Sequence, residues 1–240
     1  MERRGSSQGS ARTAVVWDVL SAALSGTGLS VVDVGGGTGG FAVPLAREGH
    51  HVTVVDASPD ALAALTRRAD EAGVGGSVRA VQGDADGLAD LFEPGTADLV
   101  LCHSVLEVVD SPAEVAAALA ATLRPGGLAS VVVASRVAAV LSRAMGGQLE
   151  VATAMLRDPD GTAGGRDTLR RRFDVDSAST LLTKAGLTVE QVHGVRVVAD
   201  LVPGAVAERE HDALLAFELA ASGLPAFRDV ATQLHLLARK

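Results

Sequence analysis

The stretch VVDVGGGTGG, Val31–Gly40, decides how this 240-residue chain is read. Three valines and an aspartate form a short apolar run, and five glycines fill the six positions after it. An apolar run halted by glycines reads as a buried strand ending in a tight turn. Glycine there lets the backbone approach a ligand closely.

The neighbouring sequence repeats the alternation. Ala11 to about Leu24 reads as a helix that SGTG ends, and residues 1–10 read as a flexible tail. Phe41–Glu48 suits a helix and HVTVVD (51–56) a second strand. Ser58 and Pro59 have the cap and first-position chemistry of a helix that Gly73 stops. Further strands are expected over 77–82, 97–102 and 128–134, with a helix opened by Ser111-Pro112-Ala113-Glu114 and reaching Leu123. Strands alternating with helices at this spacing argue for βαβ units and a parallel sheet covered on both faces.

The rhythm breaks at about 136–176. Arg136–Met145 and Gln148–Leu156 read as short helices, and 158–165 as a loop. Beyond them a helix is expected over Asp176–Ala185, a strand over 187–198, a helix over Glu208–Ala221 and a last strand over 231–239. The organisation is one α/β domain over 11–240 with a helical insert.

Composition narrows the class of partner. A formal charge of −8 opposes non-specific attraction to nucleic acid, so any such contact needs a local basic patch. Residues 136–172 hold seven arginines (136, 143, 157, 166, 170, 171, 172) against four acids (Glu150, Asp158, Asp160, Asp167). The alternative for them is a solvated arginine-rich face. The single cysteine, Cys102, rules out an internal disulfide and any CxxC site, and its apolar setting suits a core residue. HSVLE lacks the second histidine of HExxH, so no metal is expected. No run approaches the roughly 20 apolar residues of a membrane span, and a soluble cytoplasmic protein is expected.

Two chemistries compete for the glycine turn. Gly35-x-Gly37-x-x-Gly40 matches a dinucleotide site and hydride transfer; Asp33-x-Gly35-x-Gly37-x-Gly39 matches an S-adenosylmethionine site and methyl transfer. Asp56, 21 residues after Gly35, can take ribose hydroxyls in either. Asp33 separates them, because pyrophosphate disfavours an acid at the strand end whereas a methionine ammonium favours one. Gly83-Asp84-Ala85-Asp86 after the third strand and Leu123-Arg124-Pro125-Gly126-Gly127 before the fifth point the same way.

VVDVGGGTGG, TVVDAS, QGDADGL, DLVLCHSVLEVV and LRPGG, in this order, resemble the motifs of class I S-adenosylmethionine-dependent methyltransferases. The resemblance implies a Rossmann-like α/β fold with a seven-stranded, mostly parallel sheet and an antiparallel last strand. SARTAVVWDVL (10–20), CHSVLEVVDSPAEV (102–115), GVRVVADLV (194–202) and the C-terminal segment are further similar to the bacterial tRNA carboxymethoxyuridine methyltransferases, which methylate a carboxyl group of a modified wobble uridine. The chain departs from that family over 140–176, where lysines and aromatics give way to arginines and Phe173.

The resemblance implies roles residue by residue. Arg12 would reach the methionine carboxylate, the alternative being a surface arginine of the first helix. Asp33, Gly36 and Gly37 would carry the methionine portion, with Gly35 and Gly39 shaping the turn, Asp56 would hold the ribose, and Ala85 and Asp86 would border the adenine. His103 would contact the cofactor, the alternative being a cap or core histidine. On the substrate side, in the insert, Arg170, Arg171 and Arg172 are the candidates for tRNA. No catalytic residue is named: a carboxylate acceptor needs no base, whereas a hydroxyl or amine acceptor would turn attention to His103 or Glu107, four apart on one face if a helix starts that early. The competing function is methylation of a small-molecule acceptor in secondary metabolism.

Overall fold

The structure is a computed structural model that describes residues 11–165 and 167–240; the expected tail over 1–10 and Arg166 lie outside them. The helices are α1 Ala14–Ala23, α2 Ala42–Arg47, α3 Pro59–Glu71, α4 Leu88–Leu91, α5 Pro112–Thr122, α6 Arg136–Met145, α7 Leu149–Arg157, α8 Val175–Lys184, α9 Gly204–Arg209, α10 His211–Ser222 and α11 Pro225–Arg228. The strands are β1 Ser30–Val34, β2 His51–Asp56, β3 Val78–Gln82, β4 Ala97–His103, β5 Leu123–Ala134, β6 Thr188–Val195 and β7 Gln233–Arg239. They form one seven-stranded sheet of order β3-β2-β1-β4-β5-β7-β6 with β7 antiparallel. This is the α/β methyltransferase architecture that the motifs imply.

The chain divides into two compact units. One comprises Gly26–Val132, Ala178–Gln191 and Leu236–Lys240. In it β1 pairs in parallel with β2 and β4, and β2 with β3. Leu99, Val100, Leu101 and Cys102 of β4 are fully buried, as a central parallel strand with both faces covered requires. Burial also pushes the Cys102 thiol far up, which makes it an inert core residue. The caps form as expected: the Ser58 hydroxyl accepts from Ala61 N–H at 3.2 Å, with Pro59 at the first helical position. Ser111 does the same for Glu114 N–H at 3.4 Å.

The other unit comprises the described residues of Met1–Ser25, Val133–Ser177 and Val192–His235. Here α1 packs on α10. The helices α6 and α7 form their own small core of Val140, Ala152 and Met155. In the loop after them Asp167 takes both guanidinium nitrogens of Arg172, and Arg172 also donates to Gly161 C=O at 2.9 Å.

Element ends shift by up to three residues, as where β6 stops at Val195 rather than 198, and two departures are larger. The fifth strand starts at Leu123, because the chain end pairs with LRPGG: Gly126 N–H donates to Lys240 C=O at 2.9 Å and Lys240 N–H to Gly127 C=O at 3.0 Å. The helix expected over Glu208–Ala221 breaks at Glu210 into α9 and α10.

Candidate functional site

Strand order reverses between β1 and β4, with β2 and β3 on one side and β4 and β5 on the other. In a doubly wound sheet the crevice at the carboxyl ends of such a pair is where nucleosides bind. The glycine turn leaves β1 at that edge. Gly35, Gly37 and Gly39 take left-handed φ values of 69°, 55° and 81°. A side chain at Gly35 would run into Val105, and one at Gly36 into the Asp33 carboxylate. The chain's own packing therefore requires glycine at both positions.

Two acids frame the turn. Asp56, at the end of β2, accepts from Gly37 N–H through Oδ2 and from Ser58 N–H through Oδ1, each at 2.9 Å. Each oxygen retains a lone pair for hydroxyl donors. Asp33 is only 3% exposed, and its Oδ2 has no hydrogen-bond partner among the described residues. Burial, reinforced by the Asp56 charge, pushes its carboxyl up to about 7. A buried acceptor with nothing to accept from awaits a donor, and a cation best of all. That fits the ammonium of S-adenosylmethionine and repels a pyrophosphate.

The remaining cofactor candidates also stand at strand ends. Ala85 is buried and Asp86 exposed in a 3-10 turn after β3, where the Asp84 carboxylate accepts from Asp86 N–H at 3.5 Å. His103 is the last residue of β4; its Nε2 meets the Ser130 hydroxyl at 2.9 Å and its ring meets Phe41 edge-on, 4.6 Å between centroids. Burial holds its pKa down to about 4, so the ring is neutral at pH 7.

The helix that would align His103 with Glu107 does not form. Ser104 turns left-handed at φ 58° while its N–H donates to Val132 C=O at 2.8 Å, and a tight turn through Val105 follows. Glu107 is buried on that turn, and the next helix waits for Pro112.

Arg12 precedes α1 and pairs with Asp200 at 3.4 Å. Asp200 also takes Arg196, at 2.7 Å. Arg196 itself is unanticipated. It follows β6 in a left-handed conformation (φ 60°), unusual for a side chain of this size, and its Nε is buried without a hydrogen-bond partner among the described residues. Glu218 of α10, wholly buried, sets the following residues by accepting from the N–H groups of Val197, Val198 and Ala199, each at 2.8 Å. Nothing in GVRVVADLV signals this; the conformation exists only once α10 has delivered its carboxylate.

The three candidate arginines of the insert part company. Arg172 is committed to Asp167, whose carboxyl it holds far below the ordinary range. Arg170 is exposed and Arg171 half-buried. No cluster of three or more His, Cys, Asp or Glu among the described residues could hold a metal. No helix among the described residues is long and apolar enough to cross a membrane.

A switch-point crevice, a glycine-rich turn, a buried acid beneath it and a second acid beside it define a nucleoside-cofactor protein of the doubly wound class. Comparison with known proteins makes this specific. Residues 31–127 match the methyltransferase domain family. The chain is 33% identical to the ubiquinone biosynthesis O-methyltransferase of Xylella fastidiosa strain M23, over 75% of this chain and 69% of that protein. It is 28% identical to the tRNA 5-carboxymethoxyuridine methyltransferase of Escherichia coli K12, over 98% of this chain and 90% of that protein. An S-adenosylmethionine-dependent methyltransferase of Mesorhizobium loti superposes with a TM-score of 0.65 at 20% identity, covering 98% of this chain and all of that one. The chain belongs to the class I S-adenosylmethionine-dependent methyltransferases.

Proposed function

We propose that this methyltransferase esterifies a carboxylate on a modified wobble uridine of tRNA. The observation that carries the reading is the reach of the likeness to the tRNA 5-carboxymethoxyuridine enzyme: it runs over 98% of the chain, well beyond the methyltransferase-domain match at 31–127.

When bound, S-adenosylmethionine supplies an electrophilic methyl group on a sulfonium. We assign Asp33 and the turn Gly35–Gly37 to its methionine portion, Asp56 to the ribose, Ala85 and Asp86 to the adenine, and His103 to the wall beside it. Arg12 is assigned to the methionine carboxylate; its salt bridge to Asp200 is exposed on the arginine side and weak enough to exchange. A carboxylate acceptor is ionised at pH 7 and needs no general base. What the protein adds is alignment and exclusion of water, which can contribute roughly 7–11 kcal/mol. A neutral His103 bonded to Ser130 suits that passive role.

Arg170 and Arg171 are the insert residues proposed to meet RNA. Arg172 is excluded from the test because its removal would strip Asp167 of its cationic partner and loosen the loop. The decisive experiment supplies methyl-labelled S-adenosylmethionine with tRNA and, separately, with a metabolite extract. Label is expected in tRNA and is expected to leave it as methanol under mild alkali, as an ester does. The pair R170A/R171A should weaken tRNA binding about tenfold by losing two phosphate contacts, and leave cofactor binding unchanged. Alkali-stable label, or label only among metabolites, would overturn the tRNA reading. The second outcome would favour a small-molecule acceptor, a reading supported by the net charge of −8 and by the likeness to the quinone-pathway O-methyltransferase.

A further inference from the structure

We infer that Arg68 is a positioning residue for the cofactor turn. It sits on α3, 30 residues from Thr38, and its Nη1 donates to the Thr38 carbonyl at 2.8 Å and to the Thr38 hydroxyl at 3.0 Å. Thr38 is the lone non-glycine between Gly35 and Gly40. The residues on either side of it, Gly37 and Gly39, are both left-handed.

The physical need for such an anchor follows from the glycines. A run without side chains has more backbone freedom to lose than any other sequence, and a ligand that binds it must bear that loss. Anchoring the run beforehand transfers the loss to folding and leaves affinity for the ligand. Backbone bonds and Asp56 hold the rest of the turn, in which Gly39 N–H donates to Gly36 C=O at 3.0 Å. Gly35 N–H is taken by Val55 C=O at 2.7 Å and Gly37 N–H by Asp56. From there to Val43, whose N–H donates to Gly39 C=O at 3.1 Å as α2 begins, the side-chain bonds to the run come from Arg68.

α3 is shaped to do this. Leu65, one helical turn before Arg68, packs so closely beneath Gly39 that a side chain there would collide with it. The same helix starts at Ser58, whose N–H binds the Asp56 carboxylate that also holds Gly37. One element thus grips the turn by an apolar contact, a fixed acid and an arginine. The neighbouring Arg67 behaves differently: it pairs with Glu71 on the exposed face of α3 at 3.8 Å. Two adjacent arginines have different uses, and the helical phase separates them.

This inference rests on the cofactor lying at the turn; it is independent of which acceptor is methylated. The test is calorimetric titration of the full chain with S-adenosylmethionine and its demethylated product, joined to thermal melting. Arg68→Ala is expected to weaken both ligands about tenfold, the scale of a charge-assisted bond partly screened at the surface. Melting should move by no more than about 2 °C. With any methyl acceptor that turns over, KM for the cofactor should rise and kcat at saturation should hold. Arg68→Lys should recover part of the affinity, because an ammonium can also supply two bonds from one nitrogen but is a bond shorter. Gly36→Ala serves as the reference, since its side chain would strike Asp33. If Gly36→Ala abolishes binding while Arg68→Ala stays within twofold of the parent, the anchor is overturned and the site stands. If Gly36→Ala also leaves binding intact, the turn is not the cofactor site and both assignments fall.

Discussion

Replacing Asp33 by Asn will weaken S-adenosylmethionine binding about 30-fold at pH 8, and will make the ligand-free protein more stable at that pH. Both effects have one origin. The carboxyl is buried, one oxygen has no hydrogen-bond partner among the described residues, and its pKa is pushed up to about 7, first by burial and then by Asp56. Its folded-state value thus lies above the ordinary 3.8, so the folded chain holds the proton more tightly than the unfolded chain does. Stability from this group is complete at acid pH and is lost as pH rises through about 7. By then ionised Asp33 costs on the order of 4 kcal/mol, at roughly 1.4 kcal/mol per pH unit of displacement. A bound cation reverses the preference, favours the carboxylate and releases the proton. Affinity should therefore rise with pH across about 6 to 8, with proton release measurable by calorimetry in buffers of different ionisation enthalpy. The Asn variant should lose both the pH slope of binding and the fall in melting temperature between about pH 4 and 7. Identical pH profiles in the two proteins would remove Asp33 from the site.

Glu218→Ala will destabilise the protein by about 4 kcal/mol, among the largest effects expected of a single substitution. The carboxylate is wholly buried and accepts three backbone N–H groups, from Val197, Val198 and Ala199. Alanine leaves three donors facing a small void, and each buried orphan costs about 1–3 kcal/mol. Glu218→Gln should fall between the two, since its amide keeps one acceptor oxygen but turns an NH2 toward the remaining donors. Urea unfolding checks this: the midpoint should drop with the slope unchanged. A loss under about 1 kcal/mol would mean that 197–199 find other partners without cost. The variant also bears on Asp200, which lies just past these residues and takes both Arg12 and Arg196.

Much of the fold is legible in the chain. The strands of β1–β4 are apolar runs bounded by glycines and polar turns, and local chemistry such as Ser58-Pro59 and Ser111-Pro112 starts helices where it stands. Local rules fail where a distant segment completes an element. LRPGG reads as a segment ahead of the fifth strand until Lys240, 114 residues after Gly126, pairs with it and makes it part of β5. His103 and Glu107 read as helical neighbours until Ser104 bonds to Val132 and bends the chain away.

The site divides along the same line. Class and cofactor follow from VVDVGGGTGG, Asp56 and the turn at Ala85 and Asp86, because the glycine spacing and the acids act through backbone geometry that a short segment specifies by itself. What the tertiary structure decided is which polar groups are already spoken for. Arg172 is given to Asp167 and Arg12 to Asp200, while Arg68 is turned onto Thr38 and Asp33 is left buried with an oxygen unmet among the described residues. Those outcomes depend on which side chains packing brings within about 3 Å of one another, a condition set by long-range folding and invisible to residue type.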